Sequence, residues 1–251
     1  MNFFNDVGYI ITNFWQDFLL GVVWTLVISL VATLIGLLFG LIIGIIRTIP
    51  YSKNRFVFAL QKIINFVLSA YIEVFRGTPM MVQAVVIYWG YAFMMQGKTL
   101  PLIPSAIAIV SINTGAYIAE IVRGGIIGID KGQFEAAHAL GMNHFQTMTR
   151  AIIPQVMKTI LPAVSNEFVI NIKDTSVLNV IGVTELYFVM SVTVKMTYKN
   201  FPVYLVGCVI YFAMTFTITR IIKLIEKKIA GKKYYSLYSS NAIGELIEDG
   251  N

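Results

Sequence analysis

Four stretches of this chain, residues 18–46, 77–97, 99–119 and 200–219, carry no charged side chain at all, over 29, 21, 21 and 20 residues. A helix needs about 20 predominantly apolar residues to cross the hydrocarbon core of a bilayer. Only 13% of the 251 residues are charged, against about 25% in an ordinary soluble domain, and the mean hydropathy is +0.74. The fold class that follows is an all-α membrane protein. Five spans are expected, at about 18–46, 56–96 with an interruption near 75–79, 101–123, 152–182 and 201–222.

The net charge of +6 has a membrane explanation, because basic residues collect in cytoplasmic loops. Arg47, Lys53, Arg55 and Lys62 follow the first span; Arg123, Lys131, Arg150 and Lys158 lie between or at the ends of the third and fourth; Arg220, Lys223, Lys227, Lys228, Lys232 and Lys233 follow the fifth. Lys98, Lys195 and Lys199 fall on the opposite side. This bias puts the N-terminus outside and the C-terminus inside, as an odd number of spans requires. It leaves too little polar surface for nucleic acid. The opening residues, MNFFNDVGYIITNFWQDF, lack a basic n-region and a small-residue cleavage site, so the first span is expected to be retained. The organisation expected is an extracytoplasmic segment at 1–17, a transmembrane unit at 18–225 and a polar cytoplasmic tail at 226–251 with Glu245, Glu248 and Asp249. Cys208, the single cysteine, reads as a small buried hydrophobe. His138 and His144 have a poor spacing for a metal, and no nucleophile–base set stands out, so neither metal ligands nor catalytic residues are expected. Gly36, Gly40 and Gly44 recur every four residues, a stripe that lets another helix approach closely.

Ionisable residues inside spans cost about 2.5–3.5 kcal/mol on insertion scales and usually face a cavity or a partner. The segment YIEVFRGTPMMVQ holds the first group. Gly77 suits a left-handed helix end, Thr78 an N-cap and Pro79 the first position of a new helix. A helix restarted within a span aims unpaired N–H groups and a positive dipole end at its surroundings. Arg76 adds a fork that matches a carboxylate, and Glu73 is placed to orient it. A tight turn with a structural Glu73–Arg76 pair is the alternative. In NEFVINIKDTSV, Glu167, Asn171 and Asp174 share one helix face and suit an ammonium group, unless Lys173 neutralises one carboxylate. On the third span Asn113 and Tyr117 could line a pocket, while Glu120 and Arg123 read as a helix-end ion pair near the cytoplasm. An arginine with helix N-termini on one side and carboxylates on the other describes a site for a zwitterion, and free amino acids are zwitterions.

Residues 130–154, DKGQFEAAHALGMNHFQTMTRAIIP, are too polar to span and too patterned for a slack loop. Asp130 starts a short helix carrying Phe134, Ala137 and Leu140; Gly141 ends it; Asn143 starts a second that runs to Pro154. Short alanine-rich helices dock well into a partner's groove. The pattern EAAHALG followed by AIIP resembles the EAA loop of bacterial ABC importer permeases: Glu135, Ala136, Ala137, Gly141 and Pro154 match, while Ala151 and Ile153 depart mildly. EVFRGTPMMVQ, AYIAEIVRGGI, GQFEAAHALGM and NEFVINIKDTSVLNVIGVTEL resemble the polar amino acid subfamily, in order, across residues 18–225.

That resemblance implies a five-span permease of the type I importer (MetI-like) fold in a bacterial cytoplasmic membrane. It implies a second permease subunit, identical or sister, two cytoplasmic ABC ATPase subunits that bind the ATP and magnesium, and an extracytoplasmic amino acid-binding protein. The chain itself lacks a G-x-x-x-x-G-K-[ST] phosphate loop and is expected to hold no cofactor. Glu135, Ala136, Ala137 and Gly141 are then the ATPase contact. Arg76, Gly77 and Thr78 take the α-carboxylate, with Glu167 and Asp174 toward the α-amino group or a cationic side chain. Glu73, Gln83, Asn113 and Tyr117 form a second rank. An ion-coupled carrier working alone, or a structural permease without its own site, are the rival readings.

Overall fold

The computed structural model describes the backbone of residues 3–248 and the side chains of residues 3–228. The acidic residues Glu245, Glu248 and Asp249 lie outside the described side chains. In order come α1 (Phe3–Ile46), α2 (Arg55–Gly77), α3 (Met80–Met94), α4 (Leu102–Ile127), α5 (Lys131–Ala139) and α6 (His144–Gln146). A π-helical stretch (Thr147–Ile152), α7 (Ile153–Asp174), a 3-10 stretch (Thr175–Ile181), α8 (Leu186–Thr197) and α9 (Asn200–Glu248) complete the chain.

Four helices, α1, α2, α4 and α9, are each long and apolar enough to cross a membrane. The assembly from His144 to Ile181 passes the same test with α8, from which it is bent by 53°, giving up to five spans. Helix α1, with 44 residues, is about 66 Å long at 1.5 Å per residue and outruns the expected first span at its N-terminal end. α8 was not foreseen. It turns the connection expected after residue 182 into a helix whose buried Leu186, Val189 and Met190 join the core with Phe18 and Ile172.

The fold is organised by the seam between α1 and α4. A Cβ added at Gly36 would lie 3.0 Å from Cβ of Thr114, at Gly40 2.6 Å from Cβ of Ile118, and at Gly44 2.7 Å from Cβ of Val122. The spacing advances in step along both chains, so α1 and α4 run parallel, and the glycine stripe does pack a helix as expected. Farther up α1, Ser29 and Thr33 are buried but donate to the carbonyls of Thr25 and Ser29, at 2.5 and 2.7 Å, which satisfies their hydroxyls within the helix. A Cβ added at Gly21 would lie 2.9 Å from Cα of Leu186, so this further glycine of α1 admits α8.

Ion pairs mark the two ends of this bundle. At one end Arg47, Glu120 and Arg123 form a cluster: Arg47 pairs with Glu120, and Arg123 holds it at 2.9 Å. The helix-end pair expected for Glu120 and Arg123 is present, with a third member from α1. At the other end Lys199, just before α9, pairs with Asp6 of α1 and stands 4.7 Å from the Tyr9 ring centroid. Cys208 is exposed rather than buried. It lies on a lipid-length helix whose outward positions are apolar, so a small apolar residue there has no need of a protein cover.

Candidate functional site

Helix α2 stops within apolar sequence because of Pro79. The residue before a proline is pushed out of the helical region, and Thr78 is accordingly extended, with φ −124° and ψ 148°. That is sufficient to end the helix, so the left-handed Gly77 expected from the sequence is absent: Gly77 is the last residue of α2 and its φ is not positive. Pro79 flanks α3 rather than entering it, and Thr78 does not cap α3. Its hydroxyl turns back instead and donates to the carbonyl of Val74 at 2.8 Å.

Side chains from α3 and α4 occupy the opened backbone. The Gln83 amide nitrogen donates to the carbonyls of Phe75 and Thr78, both at 2.9 Å, and lies 2.8 Å from the Thr78 hydroxyl. Its oxygen accepts from Asn113 at 2.9 Å, and Asn113 also donates to the Phe75 carbonyl at 3.2 Å. One helical turn away on α4, the Tyr117 ring lies under Arg76, with the guanidinium carbon 5.3 Å from its centroid. Tyr71 donates to the carbonyl of Ile112 at 2.5 Å. The end of α2 is thus fastened to α4 at three successive levels.

Arg76, Gly77 and Thr78 are exposed around this break, as is Glu73. Glu73 makes no ion pair with Arg76 within 4.0 Å among the described residues, so the tight turn with a Glu73–Arg76 pair is not what forms; the aromatic ring of Tyr117 holds the arginine instead.

On α7, Glu167 is half-buried, Asn171 buried and Asp174 exposed. Asn171 donates to the hydroxyls of Thr33 at 2.8 Å and Thr114 at 3.0 Å, tying α7 to α1 and α4. Glu167 and Asp174 lie seven residues apart, two turns along one face of α7. Lys173 makes no ion pair with either carboxylate within 4.0 Å among the described residues. Neither carboxylate makes an ion pair with Arg76 within 4.0 Å among the described residues, and Asn171 is the structural member of the stripe.

Glu185, which the sequence reading passed over, has 0% exposure. It caps α8, accepting from the N–H groups of Tyr187 at 2.8 Å and Phe188 at 2.7 Å, and from the Tyr211 hydroxyl at 3.1 Å. The remaining first-turn donor, the N–H of Leu186, reaches the Thr25 hydroxyl at 3.2 Å. A carboxylate directly before an apolar run, Glu185 ahead of LYFVM, was the available signal.

The polar loop forms much as its start and stop residues require. Asp130 caps α5, accepting from the Gly132 N–H at 2.6 Å. Gly141, at φ +74°, ends it in the left-handed turn, with the N–H of Met142 returning to the Ala137 carbonyl at 3.1 Å. Asn143 and Gln146 form a reciprocal capping box. Beyond it the structure departs from two separate short helices. From His144 the helix continues through the π-helical stretch into α7, the N–H of Ile153 reaching back to the Met148 carbonyl. Pro154 lacks an N–H for the ordinary ladder, and the wider turn just before it lets the helix pass without a break. Ala137 is buried, Phe134 packs on the cluster containing Met148 and Ile152, and Gln155 donates to Gln133 at 3.3 Å. Glu135, Ala136 and Gly141 are exposed, together with two large apolar side chains, Leu140 at 78% and Phe145 at 74%.

Comparison with known proteins agrees with this layout. The family model described as binding-protein-dependent transport system inner membrane component matches residues 56–231. A putative glutamine transport system permease protein of Rickettsia felis is 36% identical over 178 residues, covering 70% of this chain and 78% of that protein. The L-cystine transport system permease protein of Bacillus subtilis is 35% identical, covering 66% of this chain and 70% of its own. The glutamine transport system permease protein of Escherichia coli is 34% identical, covering 66% and 76%. Among solved structures, an amino acid ABC transporter crystallised with histidines aligns at a TM-score of 0.76 and 37% identity, over 91% of this chain and 99% of that one. The methionine transporter MetNI, in an inward-facing conformation, aligns at 0.72 over 86% and 97%, and at 18% identity speaks to the fold alone. The all-α, MetI-like fold expected from the sequence is the fold of this chain. With its family model spanning most of the apolar helices, the chain belongs to the inner membrane components of binding-protein-dependent transport systems.

Proposed function

We propose that this chain is the membrane-spanning subunit of an ATP-driven importer for a polar amino acid. The observation that carries the reading is Arg76, exposed at the broken end of α2 and held over the Tyr117 ring; Glu167 and Asp174, two turns apart on one face of α7, are the carboxylates proposed to face it. An α-carboxylate at the Arg76–Gly77–Thr78 break and an ammonium toward Glu167 and Asp174 satisfy both charges of a zwitterion. Glu73, Gln83, Asn113 and Tyr117 form the second rank of that pocket. The names of the relatives, which transport glutamine and cystine, and the amino acid transporter structure support the substrate class.

The chain works with a second permease subunit, two ATPase subunits that hold ATP and magnesium, and a binding protein that delivers the amino acid outside. The end of the bundle holding Arg47 and α5 faces the cytoplasm; the end holding Asp6 and Lys199 faces outward. Glu135, Ala136 and Gly141 are the ATPase contact, with Leu140 and Phe145 supplying exposed apolar area, while Ala137, buried against the chain itself, seats the loop rather than touching the partner. Because α6 runs into α7, displacement of this loop by the ATPases is passed to the helix that carries Glu167 and Asp174.

The test is ATPase activity of the complex in nanodiscs, with its binding protein and amino acid present. Glu135→Arg is expected to weaken assembly or to abolish stimulation. Asp174→Ala is expected to leave assembly intact and change the amino acid-dependent part. A Glu135→Arg variant indistinguishable from the native complex overturns the coupling assignment. Uptake into proteoliposomes by the chain alone would replace the whole reading with an ion-coupled carrier.

A further inference from the structure

We infer that Gln83 is a positioning residue: its amide locks the α2–α3 break in the geometry that presents Arg76 to the amino acid's carboxylate. The inference rests on the proposed substrate site and assigns a role within it.

Gln83 is 7% exposed, while Arg76, Gly77 and Thr78 are exposed. Its side chain therefore approaches the break from the protein side, and the face offered to a ligand is the opposite one. Both ends of the amide are engaged within the chain: the nitrogen with the carbonyls of Phe75 and Thr78 and the Thr78 hydroxyl, the oxygen with Asn113. A broken helix leaves carbonyls of its last turn without partners, and buried carbonyls without partners are costly. Gln83 satisfies one on each side of Arg76 along the chain, at residues 75 and 78. Asn113 doubles the grip on Phe75 from α4, and the ring beneath Arg76 belongs to Tyr117 on the same helix.

The break is polarised by this arrangement. The N–H groups of Met80 and Met81 at the start of α3 have no acceptor among the described residues, since the N–H groups of Val82 and Gln83 are the first to turn back, to the Pro79 carbonyl. The carbonyls of Phe75 and Thr78, which would repel a carboxylate, are taken up by Gln83. What stays open beside Arg76 includes donors. The bland account of Gln83, a polar residue that stabilises a kink, makes no reference to Arg76 and is separable by experiment.

The measurement is equilibrium binding to the permease–ATPase complex in detergent, without binding protein. The probe is whichever of tritiated L-glutamine, L-cystine or L-histidine the native complex takes up. Gln83→Leu is expected to weaken binding about tenfold, equivalent to about 1.4 kcal/mol, and Arg76→Ala by at least as much. In the Arg76→Ala background Gln83→Leu is expected to cost nothing further, because its effect runs through the guanidinium. Gln83→Glu retains the acceptor for Asn113 and loses the donors, so it should resemble Gln83→Leu; Asn113→Ala should weaken binding less, and provides the same cycle if Gln83→Leu fails to fold. Full additivity with Arg76→Ala, or native binding by Gln83→Leu, overturns the inference while leaving the site in place. Native binding by Arg76→Ala removes the carboxylate assignment and this inference with it.

Discussion

Alanine at Gly40 tests the seam on which the fold depends. The added carbon would stand 2.6 Å from Cβ and Cγ2 of Ile118 and 3.0 Å from the backbone nitrogen of Ala119. Carbon atoms at rest are about 3.5–4.0 Å apart, so α1 and α4 must separate by about 1 Å or Ile118 must leave its rotamer. Neither is easy, because Ile118 has 0% exposure and a Cβ added at the neighbouring Gly36 or Gly44 would also lie close to α4, at 3.0 and 2.7 Å. Overpacking of this kind costs about 1–3 kcal/mol. Alanine's better helix propensity returns up to about 1 kcal/mol, and Gly90→Ala, with nothing within 4 Å of the new carbon, isolates that gain. Thermal melting in nanodiscs reads the balance, at about 2–4 °C per kcal/mol for a chain of this size. Gly40→Ala should melt lower than native while Gly90→Ala melts at or above it. Ile118→Ala alone opens a cavity costing about 2–5 kcal/mol, yet combined with Gly40→Ala it should cost less than the two separately. A Gly40→Ala protein as stable as Gly90→Ala, or strict additivity with Ile118→Ala, would refute the close approach of α1 and α4.

Three further outcomes are open to the same measurements. Glu185→Ala removes a buried cap and orphans the Tyr211 hydroxyl, for a loss of about 2–4 kcal/mol in melting stability, whereas Tyr211→Phe should cost only about 1 kcal/mol. Gly141→Ala must hold an alanine at φ +74°, a strain of about 1–2 kcal/mol, and should reduce copurification of the ATPase subunits while leaving the melting of the spans unchanged. Asn171→Leu removes a partner of Thr114 and one of the two partners of Thr33, which keeps its bond to the Ser29 carbonyl; a loss of about 1–3 kcal/mol is expected, and a Thr114→Val background should recover part of it.

The features legible in the sequence were those whose cause is local. Charge-free runs announced the spans, Pro79 announced the break, and Asp130, Gly141 and Asn143 marked the ends of the short helices, because each acts through its own backbone. The glycine stripe announced close packing, though not against which helix. What escaped notice depends on partners far along the chain. The cap bonds of Glu185 are local, but that it is wholly buried there depends on α9, where Tyr211, 26 residues on, donates to it. Gln83 and Asn113 read as pocket-lining polar residues, and their attachment to Phe75 and Thr78 needs α3 and α4 folded beside the break. The passage from α6 into α7 was hidden by Pro154, whose ordinary meaning is a stop; a widened turn cancels that meaning, and nothing local in TMTRAI distinguishes the two cases.

That uninterrupted passage also decides how force travels. From His144 to Asp174 the chain is one rod, about 45 Å long at the helical rise. A rod loaded at its end conveys thrust along its axis with little loss, but yields where its stiffness is lowest. Two such places are built in: the π-helical collar at Thr147–Ile152 and the missing hydrogen bond at Pro162. Just past the first of them α5 is bonded to the rod, Gln155 donating to Gln133, which limits tilting at the base. Compression is then relieved beyond the brace, at Pro162, less than two turns before Glu167.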